Sequence, residues 1–293
     1  MPKSVTTLPW TITEKARNIH HFAIELASVR DERWFLLQSD VHWDNPHCDR
    51  EMFWKHLNQA KERDAAIIDN GDFFCAMQGK WDKRANKSDL RPEHQTGDYL
   101  DALVRTAAGE LRPYAHLLTV RGQGNHETGV LKRHETNLVE RLVERLKHHS
   151  DSVKLGGYSG YIVFEVTCCG NHRTPIKLFY HHGFGGGGPV TRGVIQTNRQ
   201  AVFLADADIV LTGHTHDSWQ VPIARVKLNQ DNTQVVHTRQ VHVRAAGYKE
   251  EYGDGYGGWH VERGAGPKPT GALWLKIHQP ARNVIDFEIS EAR

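Results

Sequence analysis

The chain contains few cysteines and no long hydrophobic run. Its cysteines are Cys48, Cys75, Cys168 and Cys169, and none belongs to a CxxC pair, which argues against a zinc ribbon. The N-terminal region lacks an apolar stretch long enough for a signal peptide, and no segment approaches the length of a membrane span. We therefore expect a cytoplasmic protein with no membrane partner and with reduced, buried thiols. Adjacent Cys168 and Cys169 should point to opposite faces of a strand and stay unbridged.

An excess of charge of either sign is also missing. The 293 residues carry a formal net charge of +2, so no overall basic field argues for binding to nucleic acid. This length permits one large domain or two small ones, and the chain shows neither an internal repeat nor a convincing linker. We therefore expect a single catalytic domain over residues 1–293.

Histidine, by contrast, is abundant. The chain has 20 histidines, and several fall in five short clusters of Asp, Asn and His, each of which follows an apolar run typical of a strand. The clusters are Asp40-Val41-His42, Gly71-Asp72, Gly124-Asn125-His126-Glu127, His181-His182-Gly183 and Gly213-His214-Thr215-His216. Carboxylate, amide oxygen and imidazole are ligands that suit Mn, Fe or Zn. Two such ions about 3.5–4 Å apart can clamp a phosphate and generate a hydroxide nucleophile near neutral pH.

The spacing within the clusters favours joint ligation. Asp40 and His42 are two residues apart at a strand end, so both side chains can reach one ion. Asp72 stands in a Gly-Asp turn, where the flexible glycine allows its carboxylate to bridge two ions. Asn125 offers a neutral oxygen that adds no negative charge. The two histidines of the last cluster flank a threonine on a tight loop and can address different ions.

The hydrophobic pattern predicts the elements that carry these clusters. Strands are expected at residues 21–28, 34–39, 65–68, 116–120, 161–166, 176–180, 208–211, 235–245, 271–278 and 284–290. Helices are expected at residues 50–63, from about Tyr99, at 131–149 and at 194–205, with a polar loop at 76–98. Strand–helix alternation followed by a strand-rich half predicts two packed sheets with helices outside.

The order and spacing of the five clusters resemble the calcineurin-like metallophosphoesterase superfamily. The resemblance covers most of the chain and implies an α/β fold, a four-layer α/β/β/α sandwich of two mixed sheets flanked by helices. It also implies a metal-dependent phosphoester hydrolase with two divalent ions and a nucleophilic water that they activate to hydroxide. Manganese is the first choice of metal, and Fe, Zn, Ni and Co also suit these ligands.

Carried over residue by residue, the resemblance assigns a role to each cluster. The first metal would be held by Asp40, His42, Asp72 and His216, and the second by Asp72, Asn125, His182 and His214. His126 matches a histidine that is not a ligand, contacts the scissile phosphate and, as general acid, protonates the leaving oxygen. The family places its ligand directly before a glycine, which selects His182 and leaves His181 as a core or supporting residue.

The second cluster departs from one branch of the superfamily. The phosphoprotein phosphatases carry an acidic residue three positions after the bridging Asp, followed by Arg-Gly, and that acid orients the catalytic histidine. Here Cys75 replaces the acid, and no Arg-Gly follows. The chain therefore does not resemble a protein phosphatase. Phe73-Phe74 is somewhat more similar to the repair-nuclease branch, typified by a bacterial DNA exonuclease subunit that pairs with an ATPase.

The chain has the full ligand set but lacks the acidic residue and the Arg-Gly of the phosphoprotein phosphatases. This combination favours a phosphodiesterase that acts on a nucleotide or on a nucleic acid such as DNA. A phosphomonoesterase is the near alternative. From other classes, a non-catalytic metal-binding scaffold and a nuclease subunit that depends on an ATPase partner are also considered. The sequence does not identify a protein partner.

Contacts to the substrate are less clearly marked. Arg192 lies just beyond the glycine-rich loop 183–188 and can pair with a phosphate oxygen, although a solvated surface arginine is the alternative. The loop itself can present backbone N–H groups to a phosphate, or it can be a flexible connection.

Two further segments carry side chains that suit a nucleic acid. The basic residues from Lys80 to Arg91 can follow its backbone, but acids interleave with them and a solvated loop is favoured. Tyr252, Tyr256 and Trp259 can stack on a base or anchor their own glycine-rich loop.

Overall fold

Strands make up most of the regular structure, and helices interrupt them. The computed structural model describes residues 8–78, 85, 90–186, 188, 190–229, 231–257, 259–281 and 284–293. The strands in these residues are β1 (Trp10–Ala16), β2 (Ile19–Leu26), β3 (Glu32–Gln38), β4 (Ala66–Asp69), β5 (Leu118–Arg121), β6 (Lys154–Leu155), β7 (Ser159–Cys168), β8 (Asn171–His172), β9 (Ile176–His181), β10 (Ile209–Thr212), β11 (Trp219–Leu228), β12 (Val235–Arg244), β13 (Leu273–Ala281) and β14 (Val284–Glu291). The helices are α1 (Arg50–Glu62), α2 (Tyr99–Leu111), α3 (Asn125–His134), α4 (Leu138–Lys147), α5 (Val194–Phe203) and α6 (Trp259–Glu262).

The strands form two mixed sheets. The larger has the order β1-β2-β7-β9-β10-β12-β11, with β8 beside β7, and the smaller has the order β14-β13-β3-β4-β5-β6. Strands β3 to β6 of the smaller sheet are mutually parallel, as are β9, β10 and β12 of the larger. The loops after β3, β4 and β5 therefore leave from one edge of the smaller sheet, and those after β9 and β10 leave from one edge of the larger.

The two sheets face each other across an aromatic core. Phe22 of β2 lies with its ring centroid 5.3 Å from that of Phe35 in β3, and Phe35 lies 4.7 Å from Phe164 of β7. All three side chains are fully buried. Burial of one such ring contributes roughly 1.5–3 kcal/mol, so these contacts hold the sheets together directly.

Helices cover the outer faces of both sheets. On the smaller sheet, α1 packs against β3 and β4, α4 packs against β6, and α2 packs against α4. On the larger sheet, Leu204, Ala207 and Val210 form a small cluster with Tyr161 and Phe179, at the end of α5. The order of layers is helix, sheet, sheet, helix, which confirms the expected α/β/β/α sandwich.

The first helix illustrates how local sequence and packing agree. The Asp49 side chain accepts a hydrogen bond from the Met52 N–H at 2.9 Å and so caps the start of α1. Phe53, Leu57 and Ala60 then recur at helical spacing and are fully buried against the sheet. The helix ends at Glu62, close to the predicted end.

The helix predicted at residues 131–149 is wrong in its bounds. Glu135 adopts a left-handed φ of 53° and ends α3, so the stretch is divided into two helices. Asn137 then caps α4, accepting from the Glu140 N–H at 3.2 Å. The predicted apolar stripe survives within α4, which buries Leu138, Leu142, Val143 and Leu146.

Most predicted strands are confirmed with small shifts in their bounds, but four strands are additional. Two of them, β6 and β8, are only two residues long. The other two are β1 and β11. Both are edge strands of the larger sheet, so their side chains alternate weakly between core and solvent. Pro222 lies within β11, opposite Val241 of β12. Proline lacks a backbone N–H and is tolerated at a sheet edge, where the missing donor would face solvent.

The cysteine predictions are correct in part. All four cysteines are free, as expected, and Cys48, Cys75 and Cys168 are buried. Cys169 is exposed, because β7 ends at Cys168 and the next residue enters a turn with a φ of 50°. Their two sulfur atoms lie 3.6 Å apart instead of pointing to opposite faces of a strand.

No helix in the described part of the chain is both long and apolar enough to cross a bilayer. The expectation of a single domain over residues 1–293 and that of a cytoplasmic location stay predictions.

A buried histidine joins the first helix to the segment that follows β12. His56 of α1 is almost completely buried, and its Nδ1 lies 2.9 Å from the Tyr248 hydroxyl. Burial, followed by the charge of Lys55, lowers the pKa of His56 to about 4. The Tyr248 backbone N–H in turn donates to the Asp40 carbonyl at 3.0 Å, so this contact supports the loop after β3.

We expect His56 to make the fold sensitive to acid. Its pKa is about 6.5 in the unfolded chain and about 4 in the folded chain, so unfolding takes up a proton between these values. The contribution of neutral, buried His56 to the free energy of unfolding is fully present above the unfolded pKa of about 6.5. It is lost as the pH falls toward the folded pKa of about 4. Urea unfolding at about pH 7 and about pH 5 should therefore show a smaller loss of stability in His56→Asn than in the original chain. An equal loss in both proteins would contradict this account.

Candidate metal centre

The five clusters lie on loops at the C-terminal ends of strands. The loops after β3, β4 and β5 of the smaller sheet carry the first three, and those after β9 and β10 of the larger sheet carry the last two. The site therefore lies where equivalent edges of the two sheets meet. Ligand sites at strand C-termini are typical of open α/β sheets.

Backbone hydrogen bonds tie the loops to one another. The Asp40 N–H donates to the Gly71 carbonyl at 2.9 Å, and the His42 N–H donates to the Asp72 carbonyl at 3.1 Å. In the larger sheet, the Gly213 N–H donates to the His182 carbonyl at 2.8 Å. Each loop thus fixes the position of its neighbour before any side chain is considered.

The backbone is strained at most of the predicted ligands. The φ angles are 51° at Asp40, 50° at His42, 53° at Asp72, 72° at His214 and 53° at His216. Non-glycine residues in this left-handed region cost of order 1–3 kcal/mol each, and such residues cluster at functional sites. The surrounding structure must supply this energy, which indicates that the loop shapes serve the site.

The first group of potential ligands is formed by Asp40, His42 and His216. One ligand atom from each lies within 4.8 Å of the others. The two histidine Nε2 atoms are 3.2 Å apart, and His216 Nε2 lies 3.4 Å from Asp40 Oδ1. That Asp40 oxygen is buried and has no hydrogen-bond partner, whereas its Oδ2 accepts from the Ser39 hydroxyl and the His214 N–H.

The second group is formed by Asp72, His182 and His214, again within 4.8 Å of one another, with Asn125 among them. His182 Nε2 lies 3.1 Å from Asp72 Oδ2 and 3.1 Å from Asn125 Oδ1. His214 Nδ1 lies 2.6 Å from the same Asn125 oxygen. The structure thus brings together all seven predicted ligands in two neighbouring groups. Asp72 lies in the second, and its predicted bridging of both ions stays a prediction.

Two glycines are required by the close approach of these groups. A Cβ atom at Gly124 would overlap the Asp72 carboxylate, and one at Gly213 would overlap the Asp40 carboxylate and the Ser39 hydroxyl. Any larger residue at either position would therefore push a potential ligand out of place.

Electrostatics in the second group fit a cation. Burial alone would raise the pKa of Asp72, but the adjacent His182 and His126 hold it well below its usual range. Burial would lower the pKa of His182, yet the Asp72 and Asp40 carboxylates raise it to about 10. The carboxylates thus draw a proton onto a buried imidazole. A divalent cation at this place would supply the positive charge instead and displace that proton.

The first group fits a cation for a different reason. Burial, together with the charges of His126 and His216, lowers the pKa of His42 well below its usual value. His42 is therefore neutral, the form in which an imidazole ligates a metal. Together with the unpartnered Asp40 oxygen, it offers free lone pairs in a buried place, as a metal site requires.

His126 lies beside both groups and is oriented by the backbone. Its Nδ1 lies 2.5 Å from the Cys75 carbonyl, and its own N–H donates to Asp72 Oδ1 at 2.9 Å. Its Nε2 is directed toward Asp72 Oδ2, at 3.9 Å. The group that orients the His126 ring is therefore the main-chain oxygen of Cys75 and not its side chain. Sequence reasoning had no signal for this contact.

Glu127 is a second residue whose role the sequence did not reveal. It is fully buried, and its carboxylate accepts from the N–H groups of Gly124, Asp72 and Phe74 at 2.8, 3.1 and 2.9 Å. Burial, followed by the charge of Asp72, raises the pKa of Glu127 to about 8. Because Asn125 starts α3, Glu127 occupies the third helical position, where its carboxylate accepts from the N–H of the N-cap Gly124 and also fastens the loop after β4.

Arg244, at the end of β12, is a third such residue. It is buried, its Nη1 donates to the Thr215 hydroxyl at 2.7 Å, and its Nε donates to the Thr212 hydroxyl at 3.2 Å. Nη1 also lies 3.4 Å from the Arg192 carbonyl. Arg244 therefore holds Thr215, the residue between His214 and His216.

The structure leaves the predicted substrate contacts open. The side chain of Arg192 is exposed, while its carbonyl accepts from Arg244 and from the Trp219 indole at 3.1 Å. His181 supports the site, because its Nδ1 accepts from the Gly183 N–H at 2.9 Å. A contact between the Arg192 side chain and phosphate stays a prediction.

Other candidate contacts lie partly outside the described residues. In the basic run from Lys80 to Arg91, only Ala85, Leu90 and Arg91 are described, and Arg91 donates to the Asn45 carbonyl. In the loop 183–188, residue 187 is not described. Tyr256 is exposed and Tyr252 is half-buried, whereas the side chain of Trp259 lies outside the described set. Stacking on a base by these rings stays a prediction.

Comparisons with known proteins yield distant structural likenesses only. No protein-family pattern and no curated protein matches the chain. The solved structures that are similar include a predicted phosphoesterase from Streptococcus pneumoniae, with 11% identity and a TM-score of 0.29 over 89% of this chain and 99% of that one. A Thermotoga maritima protein has 15% identity and a TM-score of 0.35 over 89% and 99%. A metallophosphoesterase from Sphaerobacter thermophilus has 13% identity and a TM-score of 0.36 over 89% of each chain.

TM-scores below 0.5 carry no argument about activity, so the function of this chain rests on its own site.

We expect Arg244 to act as a positioning residue for the pair His214 and His216. Arg244→Met should weaken Mn²⁺ binding by roughly tenfold, or about 1.4 kcal/mol, because the loop between the two histidines loses its anchor. Calorimetric titration measures this. Arg225→Met is the matched control, because Arg225 donates to main-chain carbonyls at the end of α5 instead. Equal Mn²⁺ affinity in the two variants would contradict the positioning role.

Proposed function

We propose that this chain is a metal-dependent phosphoester hydrolase. The observation that supports the proposal most strongly is the meeting of two ligand groups, each within 4.8 Å, with an imidazole beside them that is not part of either. The first ion would be held by Asp40, His42 and His216, and the second by Asp72, Asn125, His182 and His214. We propose that Asp72 touches both ions.

The donor set suits two divalent ions of borderline character. Carboxylate, amide oxygen and imidazole accommodate manganese, our first choice, and also Fe, Zn, Ni or Co. When bound, such ions supply positive charge to the phosphate oxygens and make water a stronger nucleophile near neutral pH. The buried Asp40 and Asp72 carboxylates would hold these ions in place. His182 donates its Nδ1–H to the Asn70 carbonyl, 3.1 Å away, which leaves its Nε2 available as a metal ligand.

His126 would act as the general acid. The Cys75 carbonyl can only accept a hydrogen bond, so Nδ1 of His126 is assigned a proton. A proton that passes to the substrate must therefore come from Nε2. The side chain is 12% exposed, so Nε2 is accessible to a substrate. Asp72 Oδ2, 3.9 Å away, stabilises the charged imidazolium. His126 would then give its Nε2 proton to the leaving oxygen of the phosphoester.

We further propose that the substrate is a phosphodiester. The nearby arginine, Arg244, directs its donors to Thr212, Thr215 and a main-chain carbonyl instead of to a substrate. Lys249, whose charge reaches His42, is paired with Glu251. A monoester brings a second negative charge that would require a further cation, whereas a diester brings one.

A nucleotide or nucleic acid is the diester that suits the surroundings of the site. Phe184 follows the ligand His182 closely, is half exposed and lies with its ring 5.8 Å from that of His181. An exposed aromatic ring beside a phosphate site offers a face on which a base can stack.

The first test compares two chromogenic substrates. With Mn²⁺, we expect turnover of bis(p-nitrophenyl) phosphate that exceeds turnover of p-nitrophenyl phosphate. Asp72→Asn should reduce the diester rate by at least about a hundredfold, because the site loses a charged ligand. Turnover of the monoester alone would reject the diester preference. Absence of turnover with each of the candidate metals would reject the hydrolase proposal.

The second test concerns the proton donor. His126→Ala should slow a dinucleotide, whose leaving alcohol needs a proton, by about 10²–10⁴-fold. The loss should be smaller for bis(p-nitrophenyl) phosphate, because p-nitrophenolate leaves without protonation. Replacement of His149, an exposed histidine, by Ala is the control and should change neither rate. Equal losses for both substrates would mean that His126 binds the phosphate and does not act as an acid.

A further inference from the structure

We propose that Cys75, His42 and His126 form a third cation site, at which a thiophilic ion such as zinc binds and inhibits the enzyme. One ligand atom from each of the three side chains lies within 4.8 Å of the other two. Within the described residues, Cys75 is the only cysteine that belongs to such a group. The inhibitory consequence rests on the function proposed above, whereas the binding does not.

The chemistry of this trio differs from that of the two main groups. It contains no carboxylate, and it pairs a sulfur with two imidazoles. Thiolate ligands select soft and borderline ions such as zinc, while manganese and magnesium prefer oxygen. Zinc also suits the main groups, but the sulfur gives this trio a preference for zinc over manganese that the main groups do not have.

His42 has a second ring nitrogen that can serve such an ion. Its Nε2 lies 3.2 Å from His216 Nε2, in the first group. Its Nδ1 is buried and has no hydrogen-bond partner, although the residue is only 2% exposed. A buried nitrogen without a partner is unusual and calls for a ligand.

The sulfur is present as a thiol until an ion arrives. Burial, followed by the charge of Asp44, raises the pKa of the Cys75 thiol. The Asn45 amide donates to the sulfur at 3.5 Å, so a sulfur lone pair already faces a polar group. On zinc binding the S–H bond breaks, its proton passes to the buffer and a sulfur–zinc bond forms. With one His42 nitrogen bound to an ion of the first group, the proton on the other nitrogen also passes to the buffer, and the resulting imidazolate would bridge the two ions.

The trio must contract to hold an ion. Zinc–sulfur and zinc–nitrogen bonds of about 2.3 and 2.0–2.1 Å place tetrahedral ligands roughly 3.3–3.6 Å from one another. Rotation of the Cys75 and His126 side chains can supply the difference of about 1 Å. His126 is 12% exposed and provides the route by which an ion enters from solvent.

An ion held here would disable the proposed general acid. Bound to His126 Nε2, it takes the place of the transferable proton. Bound to Nδ1, it breaks the contact with the Cys75 carbonyl and turns the ring. Either way, the imidazole can no longer protonate a leaving group.

Cobalt provides a readout that is independent of catalysis. All measurements use a Cys169→Ser background, because the exposed Cys169 sulfur lies 3.6 Å from that of Cys168 and the pair is a competing thiol site. Titration with Co²⁺ beyond two equivalents should produce a thiolate-to-cobalt charge-transfer band in the near ultraviolet. Adding Cys75→Ser should abolish that band and leave the first two equivalents bound. Cys75→Ala replaces Cys75→Ser if the serine variant does not fold.

Zinc inhibition provides the functional readout. Both proteins are loaded with Mn²⁺, and the rate of each is compared with its own zinc-free rate. The zinc concentration that inhibits the Cys169→Ser protein should be at least about tenfold lower than the one that inhibits the Cys75→Ser, Cys169→Ser protein. A band that persists without Cys75, or no band in its presence, would overturn the site. A Cys75-dependent band without any hydrolysis in the zinc-free protein would support the site and reject the proposed function. Equal inhibition of the two proteins would overturn the regulatory role.

Discussion

The structure around the site depends on two buried carboxylates held close together. Asp40 and Asp72 lie where the sheets meet, out of contact with water. Without compensation, two such charges in a low-dielectric interior would destabilise the fold by several kcal/mol. The chain provides neighbouring imidazoles, and His182 takes up a proton as a result, its pKa being raised to about 10. That proton occupies the place of a cation, so the same pair of buried carboxylates that is costly to the fold favours the binding of a divalent ion.

The loops show a similar balance between cost and use. Left-handed φ angles at Asp40, His42 and Asp72 are unfavourable for each residue alone. They persist because hydrogen bonds between adjacent loops and the buried Glu127 carboxylate leave the backbone no alternative. The aromatic core between the sheets and the parallel strands beneath the loops supply the rigidity. A strained site of this kind needs stable elements beneath it to hold its geometry.

Sequence reasoning recovered the parts of this design that have a local signature. Short apolar runs marked the central strands, and side-chain chemistry marked the seven potential ligands, which the fold brings together. It could not find the edge strand β11, whose exposed faces and Pro222 hide the alternation. Nor could it find the contact between His126 and the Cys75 carbonyl, because a main-chain oxygen is the same in every residue. Arg244 is remote in sequence from the loop that it holds, so only the tertiary structure reveals its role.

The Cys75 carbonyl also explains how this site dispenses with an acidic orienting residue. The Cys75 carbonyl accepts from Nδ1 of His126 in place of a carboxylate, but it carries no full charge, so the hydrogen bond is weaker than one to a carboxylate. The charged form of His126 must then be stabilised by Asp72, which is 3.9 Å away and shared with the metal ligands. In the proposed mechanism, proton donation and metal binding would therefore be coupled through one carboxylate. Because the orienting contact uses the main chain, it places no demand on the side chain at residue 75, which leaves the Cys75 thiol available for the proposed third site.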